Sequence, residues 1–418
     1  MSGLHRWIYS LLLYLLIPIE ILRLLNRSRK APLYRKRWAE RFGFKTPKVN
    51  GDVIWFHTVS VGETLAALPV INAVREANPD TVILVTTMTP TGSEQVKNRL
   101  GDNVLHCYAP NDLPHSMSRF IGTIKPSRLF IMEKELWPNM LHYAKKNNTR
   151  IVLMNARMSE KSARAYARFS TLTKTMLQSL DALAVQTAED AERFIQLGAP
   201  QEKVTIIGNI KYDLKIPLEV PQIAASLRND IKERPIWLAA STHAGEDKIL
   251  ISAHQQLLQD FPHALLILVP RHPERFNDVY AKCQKSGLQA FRRTEEATPQ
   301  GQVYLADTMG EILVFCALAD AVFVGGSLVS HGGHNCLEAV AFKTPVMSGP
   351  HDFNFTEVNR QLCEAQALAV VKSDNEVYLQ LKTWFENDAE AKRSGEAGYQ
   401  VVLENRGALD KLLKVLEN

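Results

Sequence analysis

Two patterns alternate along most of the chain. From residue 53 onward, short runs of apolar, mostly β-branched residues are separated by stretches in which apolar positions recur every three or four residues. The first series of runs falls at 53–59, 81–87, 104–109, 128–133, 150–155, 182–186 and 204–208. The second falls at 236–240, 264–269, 303–306, 321–325, 344–348 and 367–371. Continuous apolar runs of about 4–8 residues predict strands buried on both faces, and intervening helices make them parallel βαβ units. Two such series predict an α/β protein with two Rossmann-like, doubly wound domains and right-handed crossovers. Between them, Pro217 and Pro221 predict an extended linker, which sets the expected domains at 46–214 and 215–418. Ligands in such sheets bind beyond the carboxyl ends of the strands, so two facing domains predict chemistry in a cleft.

The first 45 residues read differently. Residues 7–19 carry no charge and centre on Leu11-Leu12-Leu13-Tyr14-Leu15-Leu16-Ile17. A spanning helix needs about 20 apolar residues, and reaching that length here takes in Glu20 and Arg23. No small-x-small cleavage site precedes the basic run that follows. Aromatic residues Trp7, Tyr9 and Tyr14 with flanking arginines predict an anchor at headgroup depth, and basic residues after the apolar stretch keep the body cytoplasmic. The competing reading is an amphipathic helix packed on the protein itself.

Charge sharpens this division. The 418-residue chain has a net charge of +5, which invites a nucleic-acid reading. Residues 1–45, however, hold ten Lys/Arg against Glu20 and Glu40, a net +8, so the remainder carries −3. The excess positive charge therefore suits an anionic lipid surface and argues against a nucleic-acid partner. A hydrophobic content of 46% excludes a disordered or polytopic membrane chain. Five scattered cysteines, with no CxxC pair, exclude a disulfide framework or structural zinc site. No Walker A loop, GxGxxG, HExxH, EF-hand or DxD is present, and the twelve histidines match no metal-ligand spacing, so no metal site is expected.

Polar clusters follow the predicted strands. In His57-Thr58-Val59-Ser60-Val61-Gly62-Glu63, Ser60 and Glu63 have capping-box spacing, yet a carboxylate at a strand's carboxyl end also suits a general base. In Met132-Glu133-Lys134-Glu135, strand alternation predicts that at most one of the two acids faces the cleft. Lys211, in Gly208-Asn209-Ile210-Lys211-Tyr212-Asp213, can stabilise negative charge. In the second half, Ser241-Thr242-His243 supplies hydroxyls and amides, and Arg271 after Pro270 can fork around phosphate or carboxylate. The segment 307–311 opens a helix whose amides can hold an anion. Gly325-Gly326 and the stretch His331 to Glu338 let backbone approach a phosphate, with Glu338 placed to bind a ribose diol. Cys336 has a nucleophile's position but no evident base.

In order, FHTVSVGET, MEKELWPN, NARMSEKS, GNIKYD, STHAGED, PRHPERF, GGHNCLEAV and GPHDFNF resemble the motifs of the 3-deoxy-D-manno-octulosonic acid (Kdo) transferases of lipopolysaccharide assembly. The likeness runs from the N-terminal anchor to about Phe355. It implies a GT-B fold and transfer of Kdo from CMP-Kdo to the lipid A precursor, with inversion, at the cytoplasmic face of the inner membrane. It further implies Glu63 as general base, and Glu133 and Lys211 as stabilisers of the transition state. Pro270, Arg271, Met309, Gly310, Glu311, Asn335, Cys336, Leu337 and Glu338 match its CMP-binding segments, with no cofactor. The chain departs from the family pattern at Lys134 (usually Thr), at Cys336 and Ala339 (usually Pro) and at Asp247 (commonly Glu). The rival readings are a UDP-sugar enzyme of the same architecture, such as a lipid A disaccharide synthase or an epimerase, and a non-catalytic membrane assembly factor.

Overall fold

Each strand of the first sheet is apolar at successive positions because both of its faces are covered. In β1, Val53–His57, the residues Val53 and Trp55 enter one core cluster while Ile54 and Phe56 enter another. Burial of each such side chain contributes roughly 1.5–3 kcal/mol, which makes this strand the spine of its sheet. The computed structural model describes residues 2–30, 32–231, 233–296, 298–299 and 301–417. The chain divides into two units, Met1–Asp213 with Arg406–Asn418, and Leu214–Asn405.

The first unit holds β1, β2 (Val82–Thr87), β3 (Leu105–Tyr108), β4 (Arg128–Met132), β5 (Arg150–Ala156), β6 (Ala182–Val185) and β7 (Val204–Ile206). They form one parallel seven-stranded sheet in the order β3-β2-β1-β4-β5-β6-β7. The second unit holds β8 (Ile236–Thr242), β9 (Leu265–Pro270), β10 (Ala290–Arg292), β11 (Val303–Leu305), β12 (Ala321–Val324), β13 (Val346–Ser348) and β14 (Leu368–Val370). Its sheet is also parallel, ordered β10-β11-β9-β8-β12-β13-β14. In each sheet the chain order reverses beside the first strand, between β1 and β4 and between β8 and β12. Those reversal points open crevices at the carboxyl ends, the usual place for ligands. The fold is therefore the expected pair of doubly wound sheets. The edge strand β10 escapes the sequence pattern because its three residues are only half-buried and lack an apolar run.

Two local expectations change. The stretch 215–221 is not extended throughout: the helix Glu219–Ile231 already includes Pro221, in the first turn where proline costs little. The sequence reading put 215–418 in one domain, but the last helix, Ala408–Glu417, packs on the first unit. Leu409, Leu412 and Leu416 join the core on the face of β5 and β6. Asp213 accepts from the amides of Gly407 (2.7 Å) and Leu409 (2.6 Å), and Arg150 donates to the carbonyls of Leu416 (2.6 Å) and Val415 (2.8 Å). An acid thus caps the start of that helix and a guanidinium its end.

At the N-terminus a single helix, Ser2–Lys30, includes Pro18. Its 3–29 portion is long and apolar enough, by length and composition, to cross a membrane. One face is docked: Arg6 Nη1 donates to Asn139 Oδ1 (2.8 Å), Tyr14 Oη meets His115 Nδ1 (2.7 Å), and Ser10 and Leu24 are buried. The opposite face leaves Trp7, Leu11, Leu15, Ile19 and Leu22 exposed at helical spacing.

Candidate active site

Ser60 caps the helix Val61–Ala77, and the chain there wraps around Glu63. The Glu63 amide donates to Ser60 Oγ (3.2 Å), the Ser60 hydroxyl donates to Glu63 Oε1 (2.8 Å), and the Val59 amide donates to Oε2 (2.8 Å). The spacing therefore does build a helix cap. The same contacts hold the carboxyl at the crevice beside β1, where Glu63 is only 7% exposed. Burial pushes its pKa up from 4.5 to about 7, with the charges of Glu135 and Glu133 adding to the rise; the Val59 and Ser60 hydrogen bonds oppose it.

Glu133 follows β4 on the other side of the reversal point. It has a left-handed backbone, φ +53°, and the strand ends at Met132; residues two apart in a strand share a face in any case, so alternation does not separate the two acids. Both Glu133 and Glu135 lie close enough to Glu63 to raise its pKa, contrary to the expectation that only one would face the site. Glu135 accepts from Trp137 Nε1 at 3.1 Å. Glu133, nearly buried, has Lys211 Nζ at 3.7 Å on one oxygen and Arg157 Nε at 3.2 Å on the other. Burial lowers the Lys211 pKa, against the pull of Glu133. Lys211 is carried by the turn Ile210–Tyr212, whose Ile210 amide donates to Asn155 Oδ1 at 3.2 Å. Asn155, near the end of β5, is itself left-handed at φ +52°. Two non-glycine residues in that region at one crevice mark a backbone held by its surroundings. Glu63, Glu133 and Lys211 are thus brought together, and Arg157 joins them. In the sequence Arg157 is marked by its place in the NARMSEKS motif, one residue beyond β5, but nothing there assigns it a role.

His57 ends β1 fully buried, with Nδ1 3.0 Å from Thr86 Oγ1 and its ring edge-on to Trp137 at 4.5 Å. Burial drives its pKa down to about 3, so at neutral pH it is an uncharged packing partner. A cavity of about 290 Å³ opens beside this loop, bounded in part by Glu135, Trp137, Ser162 and Tyr166.

In the second unit, the loops after β8, β9 and β12 meet at the reversal point. Glu246, fully buried, accepts from the amides of His243 (2.8 Å), Gly326 (2.7 Å), Ser327 (3.0 Å) and Leu328 (2.9 Å). It is a structural tie between two loops. A Cβ at Gly325 would sit 2.6 Å from the Ser241 carbonyl, so only glycine permits this approach. Pro270 ends β9; the amide of Arg271 donates to the Thr242 carbonyl at 3.0 Å. Among the described residues no carboxylate lies within ion-pair distance of the Arg271 guanidinium.

The remaining expected binding residues divide. Met309 is exposed and Gly310 faces open space, but Glu311 is held by Arg293 at 2.9 Å and by the Thr308 hydroxyl. The helix after them, Ile312–Leu318, starts one residue beyond Glu311. Asn335 is half-buried, and its Oδ1 accepts from the Leu337 amide at 3.2 Å. Cys336 and Leu337 bury their side chains; burial pushes the Cys336 thiol up to about 12, which removes the nucleophile reading. Glu338 is half-buried in a helix of only four residues, Leu337–Val340. That segment therefore offers a ligand its backbone, Asn335 and Glu338. Among the described residues no three His, Cys, Asp or Glu side chains are placed to hold a metal ion.

The architecture is shared by enzymes of different chemistry. A glycosyltransferase from Rickettsia africae is 13% identical, with 88% of this chain and 98% of that one covered and a TM-score of 0.53. The UDP-GlcNAc 2-epimerase of Neisseria meningitidis is 14% identical, with 88% of this chain and 100% of that one covered and a TM-score of 0.54. Such likenesses show the fold alone. Sequence decides between them. Residues 36–214 match the family described as 3-Deoxy-D-manno-octulosonic-acid transferase (kdotransferase). The 3-deoxy-D-manno-octulosonic acid transferase of Haemophilus influenzae is 44% identical over 420 residues, with 99% of this chain and 98% of that one covered. With the two sheets and the full-length match agreeing, this chain belongs to the Kdo transferase family of glycosyltransferases.

Proposed function

We propose that this protein transfers Kdo from CMP-Kdo to the lipid A precursor, a tetraacyldisaccharide 4'-phosphate, with inversion at the anomeric carbon. The reading rests above all on Glu63, a nearly buried carboxyl with a pKa near 7. A base of that strength is half-ionised at working pH and strong enough to take a proton from a hydroxyl as it attacks. In this scheme the acceptor hydroxyl gives its proton to Glu63 while its oxygen bonds to the anomeric carbon of Kdo. The bond from that carbon to the phosphate oxygen breaks, and its electron pair leaves with CMP. One displacement of this kind inverts configuration.

The positive charge that develops on the sugar is met by the Glu133 carboxylate, which Lys211 and Arg157 hold from both sides. On the donor side, Arg271 takes the phosphate as a fork, with the Met309-Gly310 backbone and the Asn335–Glu338 turn, including Glu311 nearby, forming the rest of the CMP site. No metal or cofactor enters the scheme, because the guanidinium and backbone amides take up the charge of the leaving group. The exposed apolar stripe of the N-terminal helix and the basic residues after it suit the anionic cytoplasmic face of the inner membrane.

The test is to incubate purified protein and lipid A precursor with CMP-Kdo or with UDP-sugars. A lipid product heavier by Kdo, with CMP released, is expected. Release of UDP with a different sugar on the lipid would instead establish the UDP-sugar alternative, and no product with either donor would leave the assembly-factor reading standing.

A further inference from the structure

The second unit gathers four imidazoles that the scheme above does not use. His243 follows β8, His272 follows β9, and His331 and His334 lie on the loop after β12. The His243 ring stacks on His331 at 4.2 Å and on His334 at 5.1 Å, with His272 edge-on at 5.3 Å. The Nε2 atoms of His243 and His334 are 2.9 Å apart. One of these nitrogens must donate and the other accept, so the pair shares one bridging proton. A Cβ at Gly326, whose φ is +72°, would come within 3.1 Å of the His334 ring, so glycine there permits the stack.

The charges around the stack are uneven. Asp247 is taken up by Arg275 and by Lys282 at 3.3 Å, and Glu246 is spent on four backbone amides. Arg271 keeps its charge without a carboxylate within ion-pair distance among the described residues. Burial, reinforced by the neighbouring imidazoles, Arg271 and, for His243, Arg275, lowers His243 to about 4 and His334 to about 3. Both are therefore neutral in the free protein at pH 7. His272 and His331 are exposed, which leaves the stack open to solvent. Neither Asp247 nor Glu246 is thus free to pair with an imidazolium in the stack.

We propose that the four imidazoles form an oxyanion-binding site for the nucleotide-sugar donor, and that donor binding draws one proton from solvent onto the His243–His334 pair. This rests on the reading that the second unit binds CMP-Kdo. The added proton goes to Nδ1 of the ring whose Nε2 donates, so the bridging hydrogen bond survives and becomes charge-assisted. The donor's negative charge offsets Arg271 and supplies the partner that the imidazolium lacks in the free protein.

Calorimetry with CMP-Kdo and the full-length protein, without acceptor, tests this at pH 7.5 in two buffers of different ionisation enthalpy. Uptake of between about half and one proton per donor bound is expected, with Kd weakening by up to about tenfold per pH unit between the free pair's pKa and the bound pair's, and levelling above it. His334→Asn and His243→Gln should each abolish the uptake and flatten the pH dependence. CMP in place of CMP-Kdo separates the anions: retained uptake assigns the phosphate, and loss of uptake assigns the sugar carboxylate. Donor binding by the unsubstituted protein with no proton uptake between pH 6 and 8 would overturn the proposal, whatever the variants do. Failure of CMP-Kdo to bind at all would instead bring down the donor assignment beneath it.

Discussion

Replacing Glu63 by Gln tests the base assignment and its energetic cost together. Glutamine matches the shape and can keep both contacts: its carbonyl accepts from the Val59 amide, and its amide donates to Ser60 Oγ. What it loses is basicity. The Glu63 pKa stands at about 7 rather than 4.5. At about 1.4 kcal/mol per pH unit, that shift corresponds to roughly 3 kcal/mol of strain in the ionised folded state. Because the folded-state value is raised, the strain is absent below pH 4.5, develops as pH rises towards 7, and is complete above it. The Gln variant should therefore match the parent in stability near pH 4.5 and exceed it at pH 8 by up to about 3 kcal/mol, several degrees in melting temperature. Its transfer rate should fall about 10²–10⁴-fold while donor binding persists. In the parent, log kcat should rise with unit slope up to a break near pH 7 and then level, where an ordinary carboxylate would break near 4.5. Thermal melts at both pH values, with turnover measured by CMP release, read all of these outcomes. Near-normal turnover in the variant would refute the base, and an unchanged melting temperature at pH 8 would refute the desolvated carboxyl.

Four further outcomes follow from the same contacts. Arg271→Ala should raise the KM for CMP-Kdo by tenfold or more while leaving the melting temperature unchanged, since its guanidinium has no carboxylate partner among the described residues; an unchanged donor KM would count against the phosphate fork. Lys211→Met, which removes the 3.7 Å partner of Glu133, should lower kcat about 10²-fold with donor KM nearly constant, and the opposite split in steady-state kinetics would make Lys211 a donor ligand. Asp213→Ala should cost about 1–2 kcal/mol in denaturant unfolding through loss of the Gly407 and Leu409 amide contacts, with no direct effect on donor affinity. Removing residues 1–25 should shift the protein from the membrane to the soluble fraction after lysis, and an unchanged membrane fraction would place the anchor elsewhere.

The strands were legible because burial on both faces writes apolar residues at every position. Val53 to Phe56 is the clearest case, and β10 was missed for the converse reason. The return of the helix Ala408–Glu417 was not legible, because apolar periodicity predicts a buried face without saying which sheet buries it; Asp213 and Arg150, which cap it, lie about 195 and 265 residues away in sequence. Cys336 and Leu337 sit within a motif whose value lies in its backbone, and a string of letters does not distinguish inward side chains from outward ones. The four stacked imidazoles, with His243 and His334 separated by 91 positions, needed the sheet order to become one cluster.

Glu63 shows most directly why spacing left its role open. Ser-x-x-Glu describes a cap and, at a strand's carboxyl end, also suits a base, and the two readings looked like rivals. In the structure the cap holds the carboxyl in place: two hydrogen bonds fix it at the crevice, yet by themselves they would lower its pKa. The rise to about 7 comes from burial, with help from Glu133 and Glu135, and that surplus over the capping contacts is absent from the local sequence. A cap alone would give an ordinary carboxylate, and burial alone would give one without a fixed direction. The combination supplies a positioned group that is both ionised and basic near neutrality, as proton abstraction from a hydroxyl requires.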